Sequence, residues 1–159
     1  ISLISLSQAI RSNCSGTITD DGTNLEYGFG VTSSTCGFSK TSADPMLSTL
    51  GNYGGSTQTL ALLPGSAAID DGNNATCAAA PVSNADQRGI ARPQNSFCDI
   101  GAFESRGFSF TSLTGTPQST MANTAFATPL GLTVTSANSE PVNGGIVTFT
   151  PPASGASAK

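Results

Sequence analysis

The chain has 159 residues, room for one domain or two small ones, with charged residues making up 10% and a net charge of −4. Six basic residues spread along that length give no cationic run that could neutralise successive phosphates, which argues against nucleic-acid binding. No apolar stretch approaches the roughly 20 residues that span a bilayer, so no membrane span is expected in this segment.

Abundant Gly, Ser, Thr, Asn and Ala suit short strands joined by tight turns and predict an all-β chain. The opening ISLISLSQAI (Ile1–Ile10) alternates apolar and small polar residues as a strand does, although Leu3-Ile4 breaks the period. A strand this apolar needs neighbours to pair with and cover it. It lacks the basic flank and cleavage site of a signal peptide, so an export signal or anchor is expected outside the sequence.

Asp20 to Ser39 is turn-rich around Leu25 and Tyr27 and reads as a looped excursion. Thr57 to Leu63 is a predicted short strand with Leu60 and Leu62 on one face. The preceding Gly54-Gly55 supplies a positive φ or a close backbone approach that a Cβ would obstruct. Ala67-Ala68-Ile69 reads as another short strand, stopped by the turn signal Asp70-Asp71-Gly72-Asn73-Asn74. A second excursion carries Cys77 and returns through Asp86–Pro93 to Cys98–Glu104. Beyond Ser105-Arg106-Gly107, alternating Phe, Leu, Val and Thr predict strands within Phe108–Thr116, Phe126–Thr135 and Ile146–Thr150.

Cys14, Cys36, Cys77 and Cys98 allow three connectivities. Their order favours Cys14–Cys36 and Cys77–Cys98, each closing a Gly- and Asn-rich loop of about 20 residues, worth roughly 3 kcal/mol on chain entropy. Paired cysteines imply an oxidising compartment. A zinc site is disfavoured because no C-x₂₋₄-C spacing occurs and the chain has no histidine. Without histidine, neither a Ser-His-Asp triad nor a Cys-His pair can be assembled here. The run Gly51–Ser56 looks superficially like a phosphate-cradling loop but lacks the following lysine, and is read as a turn.

Asp70, Asp71, Asp86 and Asp99 are calcium candidates, and with Glu104 they offer carboxylate pairs of the kind that hydrolyse glycosides. Arg88 and Arg92 lie in the same stretch, however, and guanidinium forks match carboxylates well. The preferred reading is therefore structural ion pairing among Asp70, Asp86, Arg88, Arg92, Asp99 and Glu104, with no catalytic residue and no cofactor expected. Tyr27 and Tyr53, without any tryptophan, make a poor carbohydrate platform and are expected to pack against the core. Arg11 and Lys40 are isolated and read as ordinary exposed bases.

The pieces NCSGTITD (Asn13–Asp20), GNYGGSTQTLALLPGSAAIDDG (Gly51–Gly72), DQRGIARPQ (Asp86–Gln94) and CDIGAFE (Cys98–Glu104) occur in a fixed order. In that order they resemble the C-terminal closing region of large secreted bacterial choice-of-anchor Q proteins, which are right-handed parallel β-helices. Gln118–Thr120, Asn123–Leu130 and Pro141–Phe149 resemble the first strands of a bacterial immunoglobulin-like (Big) repeat. The resemblance implies terminal β-helix rungs and a cap over residues 1–104, a linker at 105–107, and N-terminal strands of an immunoglobulin-like domain over 108–159. A whole sandwich takes about seven strands and 100 residues, so an incomplete one is expected here, with more polypeptide on both sides. The implied function is a non-catalytic structural or adhesive segment of a large exported protein, extracellular or on the bacterial cell surface. Implied partners are a surface carbohydrate or a protein of a host or neighbouring cell. A second reading makes it the accessory C-terminal part of a β-helix polysaccharide lyase or glycoside hydrolase whose catalytic rungs lie upstream.

Overall fold

In the computed structural model, residues 3–6, 14, 18–20, 22–28, 36–38, 40–41, 44–121 and 123–150 are described. Half of the Asn13–Asp20 motif (positions 13 and 15–17), and Arg11, lie outside them. Strand dominates the regular structure among these residues, with one short helix. The elements are β1 (Leu3–Leu6), β2 (Leu25–Gly28), β3 (Lys40–Thr41), α1 (Asn74–Ala78), β4 (Ser109–Thr114) and β5 (Gly131–Thr135).

The first three strands form a parallel sheet in chain order. Leu3 lies opposite Leu25 and Leu6 opposite Gly28, and Leu25 in turn lies opposite Lys40. Parallel neighbours cannot be joined by a tight hairpin, so each step in this sheet requires a long crossover. The turn-rich stretch after Asp20 thus contains a strand, β2, whose four residues are too few for alternation to stand out in the sequence. Leu25 is fully buried and its neighbour Glu26 is 1% exposed. Successive residues of a strand face opposite ways, so β2 is covered on both faces, which is the usual condition of a parallel sheet. Glu26 meets its burial cost by accepting the N–H of Cys36 at 3.0 Å. Cys36 is bonded to Cys14 across a Cα–Cα distance of 5.1 Å.

After β3 the chain doubles back in an irregular antiparallel arm. Bridges join Leu47 to Leu62 and Gly51 to Thr59, with Ser48 N–H donating to the Ala61 carbonyl and Leu63 N–H to that of Met46. Four steps separate Leu47 from Gly51 but only three separate Thr59 from Leu62. The extra residue lies on the Leu47–Gly51 side, so the two bridges stand isolated and do not continue as a regular ladder. Leu60 is 39% exposed, while Ala61, Leu62 and Leu63 are all buried. At the tip of the arm Gly54 has φ +105°, and Gly55 lies so close to Arg88 that a Cβ would sit 3.3 Å from its Cγ.

Two further expectations are corrected beyond the arm. Ala67-Ala68-Ile69 forms turns, because Ser66 supplies local bonds: its N–H goes to the Leu63 carbonyl and its Oγ accepts from Ala68 N–H at 3.1 Å. Asn73-Asn74 begins a helix, with Asn73 Oδ1 accepting from the N–H groups of Ala75 (2.8 Å) and Thr76 (3.2 Å). The core gathers Leu25, Ala61, Leu62, Ala68, Ile100 and Phe103, with Tyr27, Leu47, Tyr53, Ala67 and Ile69 packed around it.

The last two strands pair antiparallel, Ser109 opposite Thr135 and Thr114 opposite Gly131, with a bulge between Thr111 and Thr114 where Ser112 takes φ 53°. All six residues of β4 are exposed. Ile146–Thr150 carries no regular strand; Ile146 instead donates its N–H to the Pro64 carbonyl at 2.8 Å, so its backbone is turned toward the arm. No helix among the described residues is long and apolar enough to cross a membrane.

Candidate functional site

The turn chemistry of Asp86-Gln87-Arg88-Gly89 generates the centre of the molecule's polar network. Asp86 Oδ1 accepts from the N–H groups of Arg88 (2.7 Å) and Ile90 (2.9 Å), closing an Asx-type turn in which Gly89 takes φ +82°. Its Oδ2 accepts from Glu104 N–H at 3.0 Å and from Arg88 Nε at 2.8 Å. Arg88 Nη2 completes a fork on the same oxygen at 2.7 Å and also donates to the Glu104 carbonyl. The guanidinium lies over the Phe103 ring, 3.5 Å from its centroid, and Tyr53 meets that ring edge-on at 6.1 Å. Both side chains of the Asp86–Arg88 pair are almost completely withdrawn from water.

A second set is built by the 98–104 turn. Glu104 Oε1 accepts from Gln94 N–H and Oε2 from Asp99 N–H, each at 2.9 Å, while Arg92 Nη1 stands 3.3 Å from Oε2. Arg92 also ties the turn through the carbonyls of Asp99 (2.7 Å) and Gly101 (2.8 Å). Asp99 Oδ1 accepts from Asp70 N–H at 2.8 Å, and Oδ2 from Ser105 N–H at 2.6 Å. Asp70, held at φ 54°, pairs with no arginine in the network; its Oδ1 receives Phe97 N–H at 3.3 Å. Asp71 lines an open cleft of about 430 Å³ together with Asp70, Asn73, Asn74 and Phe97.

Glu140 and Arg106 complete the network, and neither was marked by a motif. Glu140 accepts from Ser105 Oγ at 3.0 Å and from Arg106 N–H at 3.1 Å, and faces Arg106 Nε at 3.4 Å and Arg88 Nη1 at 3.7 Å. No local pattern joins them, because 34 residues separate Arg106 from Glu140.

Four carboxylates (Asp86, Asp99, Glu104, Glu140) therefore meet three guanidiniums (Arg88, Arg92, Arg106), an excess of one negative charge. The excess falls on Asp99, which has only backbone donors. Burial pushes its pKa up to about 7 against the lowering effect of the Asp70 and Ser105 N–H bonds, and the nearby carboxylates of Glu104 and Asp70 add to the rise. Burial also raises Glu104, outweighing the N–H groups of Asp99 and Gln94 and the Arg92 charge. At Asp86 burial pulls upward too, but the bonds from Glu104, Ile90 and Arg88 win and hold it below the usual carboxylate range.

The second disulfide, Cys77–Cys98, ties α1 to the 98–104 turn across a Cα–Cα distance of 6.7 Å. Gly72 fits beside it because a Cβ there would lie 2.5 Å from the Cys98 carbonyl oxygen and 2.9 Å from its Sγ. Among the described residues, no group of three or more His, Cys, Asp or Glu side chains is placed to hold a metal ion, and Asp70, Asp71, Asp86 and Asp99 do not converge on one point. The oxygens of Asp86, Asp99 and Glu104 are directed at N–H groups of the chain itself, so the chemistry of this network is the cross-linking of loops. Two disulfides accord with an oxidising, extracellular setting. Compared with protein families, with curated proteins and with solved structures, the chain has no match.

Proposed function

We propose that the chain is a structural and adhesive segment of an exported bacterial surface protein. In this reading residues 1–104 supply the last rungs and the cap of a right-handed parallel β-helix, and the unit after residue 107 begins a series of immunoglobulin-like spacers. The observation that carries the reading is the parallel pairing of β1, β2 and β3 in chain order, the arrangement that successive turns of a solenoid produce. The charged network supports it, because its carboxylates tie the 86–105 loops together beyond the last parallel strand. An open solenoid end invites strand addition from another molecule, and such a cover prevents it. The same network gives the acidic residues an occupation other than catalysis or metal binding.

Two measurements test this. Antibody raised against the cap should label intact source cells without permeabilisation; label that appears only after permeabilisation rules out surface display. Deleting residues 44–104 from the full reading frame should produce concentration-dependent association on size exclusion. An unchanged monomer would remove the capping role.

A further inference from the structure

The 105–107 stretch, read from sequence as a linker, is held on both sides. Ser105 is fully buried, whereas a flexible linker keeps its polar backbone in water. Three separate contacts join the cap and the 105–107 stretch to the unit beyond. Glu140, with 2% of its side chain exposed, accepts from Ser105 and Arg106 and faces the guanidinium of Arg88, itself anchored on Asp86. Arg106 Nη2 donates to the Asn138 carbonyl at 3.2 Å. Ile146 N–H donates to the Pro64 carbonyl at 2.8 Å.

The backbones approach too closely at this last contact for side chains to intervene. A Cβ on Gly145 would lie 2.6 Å from Pro64 Cδ and 2.8 Å from its carbonyl oxygen. A Cβ on Gly65, where φ is +87°, would lie 2.8 Å from the Ile146 carbonyl oxygen. Charge and shape thus agree: a buried carboxylate meets two guanidiniums, and five residues later a glycine seats against a proline.

We propose that the Glu140–Ile146 turn is a plug seated on a face formed by Pro64, Gly65 and Arg88 of the cap together with Ser105 and Arg106 of the 105–107 stretch. The plug makes residues 44–104 and 108–150 a single rigid body, so that the second unit projects from the first in a fixed direction. The clasp goes beyond the capping role and stands whether or not the first unit closes a β-helix.

Residual dipolar couplings of backbone N–H groups in weakly aligned whole chain provide the test. One alignment tensor should fit residues 44–104 and 108–150 together in the wild type. Glu140→Ala should break this into two tensors while the chemical shifts within each unit stay native. Gly145→Ala, which leaves the carboxylate in place and pries the turn from Pro64, should do the same and serves where the first variant does not fold. A split in either folded variant supports the clasp. Two tensors already in the wild type, or a single tensor retained in both variants, would overturn it.

Discussion

Asp86 shows how one side chain can organise several loops. Its two oxygens receive three backbone N–H groups and an arginine fork, and the side chain is buried. Removing it leaves three N–H groups without their acceptor and takes from the buried Arg88 guanidinium its nearest carboxylate. Asp86→Ala should therefore lower the unfolding free energy by about 3–5 kcal/mol, read as a fall in the urea midpoint. Asp99 works in the opposite sense. Its folded pKa of about 7 lies above the unfolded value near 4, so between those limits the native state holds more protons than the unfolded one, and stability falls as pH rises through the window. Glu104 is shifted in the same direction. Asp86 is lowered, and its contribution disappears as pH falls below the ordinary carboxylate range. The melting temperature should consequently be higher near pH 5 than near pH 8, and Asp99→Asn should flatten that slope; a melting curve that climbs from pH 5 to pH 8 would contradict the assignment. The sequence displayed Asp86, Arg88, Arg92, Asp99 and Glu104 because they crowd into one stretch of mixed charge. Glu140 was invisible there, since what defines it is a contact across 34 residues with Arg106.

At the level of elements, the loops are held by covalent bonds and close packing as much as by strands. Reducing Cys77–Cys98, or replacing both residues with alanine, should cost about 3 kcal/mol for a loop of this span, measurable as a drop in melting temperature. Gly72→Ala should cost about 1–3 kcal/mol through overpacking against Cys98, with the disulfide still formed on peptide mapping. The cysteine partners follow the order along the chain, each bond closing a span of 22 or 21 residues, although the sequence by itself left three connectivities open. The elements were harder to read. Leu60 and Leu62 obey strand alternation on paper, but the segment makes isolated bridges only, and Leu60 is exposed where Leu62 is buried. Helix α1 is too short for apolar periodicity to reveal, although Asn73 is a good cap residue and could have signalled it.

Across the whole molecule, apolar surface is distributed unevenly. The first unit buries Leu25, Leu62, Ile100 and Phe103 completely or nearly so, whereas Phe110, Leu113, Met121, Phe126, Leu130, Ile146 and Phe149 are each 40–81% exposed. Exposed apolar groups of that number in one region favour association. Light scattering of the chain should rise with concentration, and Phe110→Ser with Leu113→Ser should reduce it without moving the melting transition of the first unit. All-β character was legible from composition, since small polar residues and glycine leave little material for helices. The docking of the second unit was not, because a glycine or a glutamate carries no mark of the distant surface it fits.

Glu140 also imposes an order on assembly. A chain that emerges from the N-terminus presents Arg88 and Ser105 before Glu140, which follows Ser105 by 35 residues. The face that receives the turn is thus synthesised and delivered with its arginines partly unanswered. Its final ion pairs close only after the next unit has arrived, which makes completion of the joint a late event paced by delivery of the downstream chain.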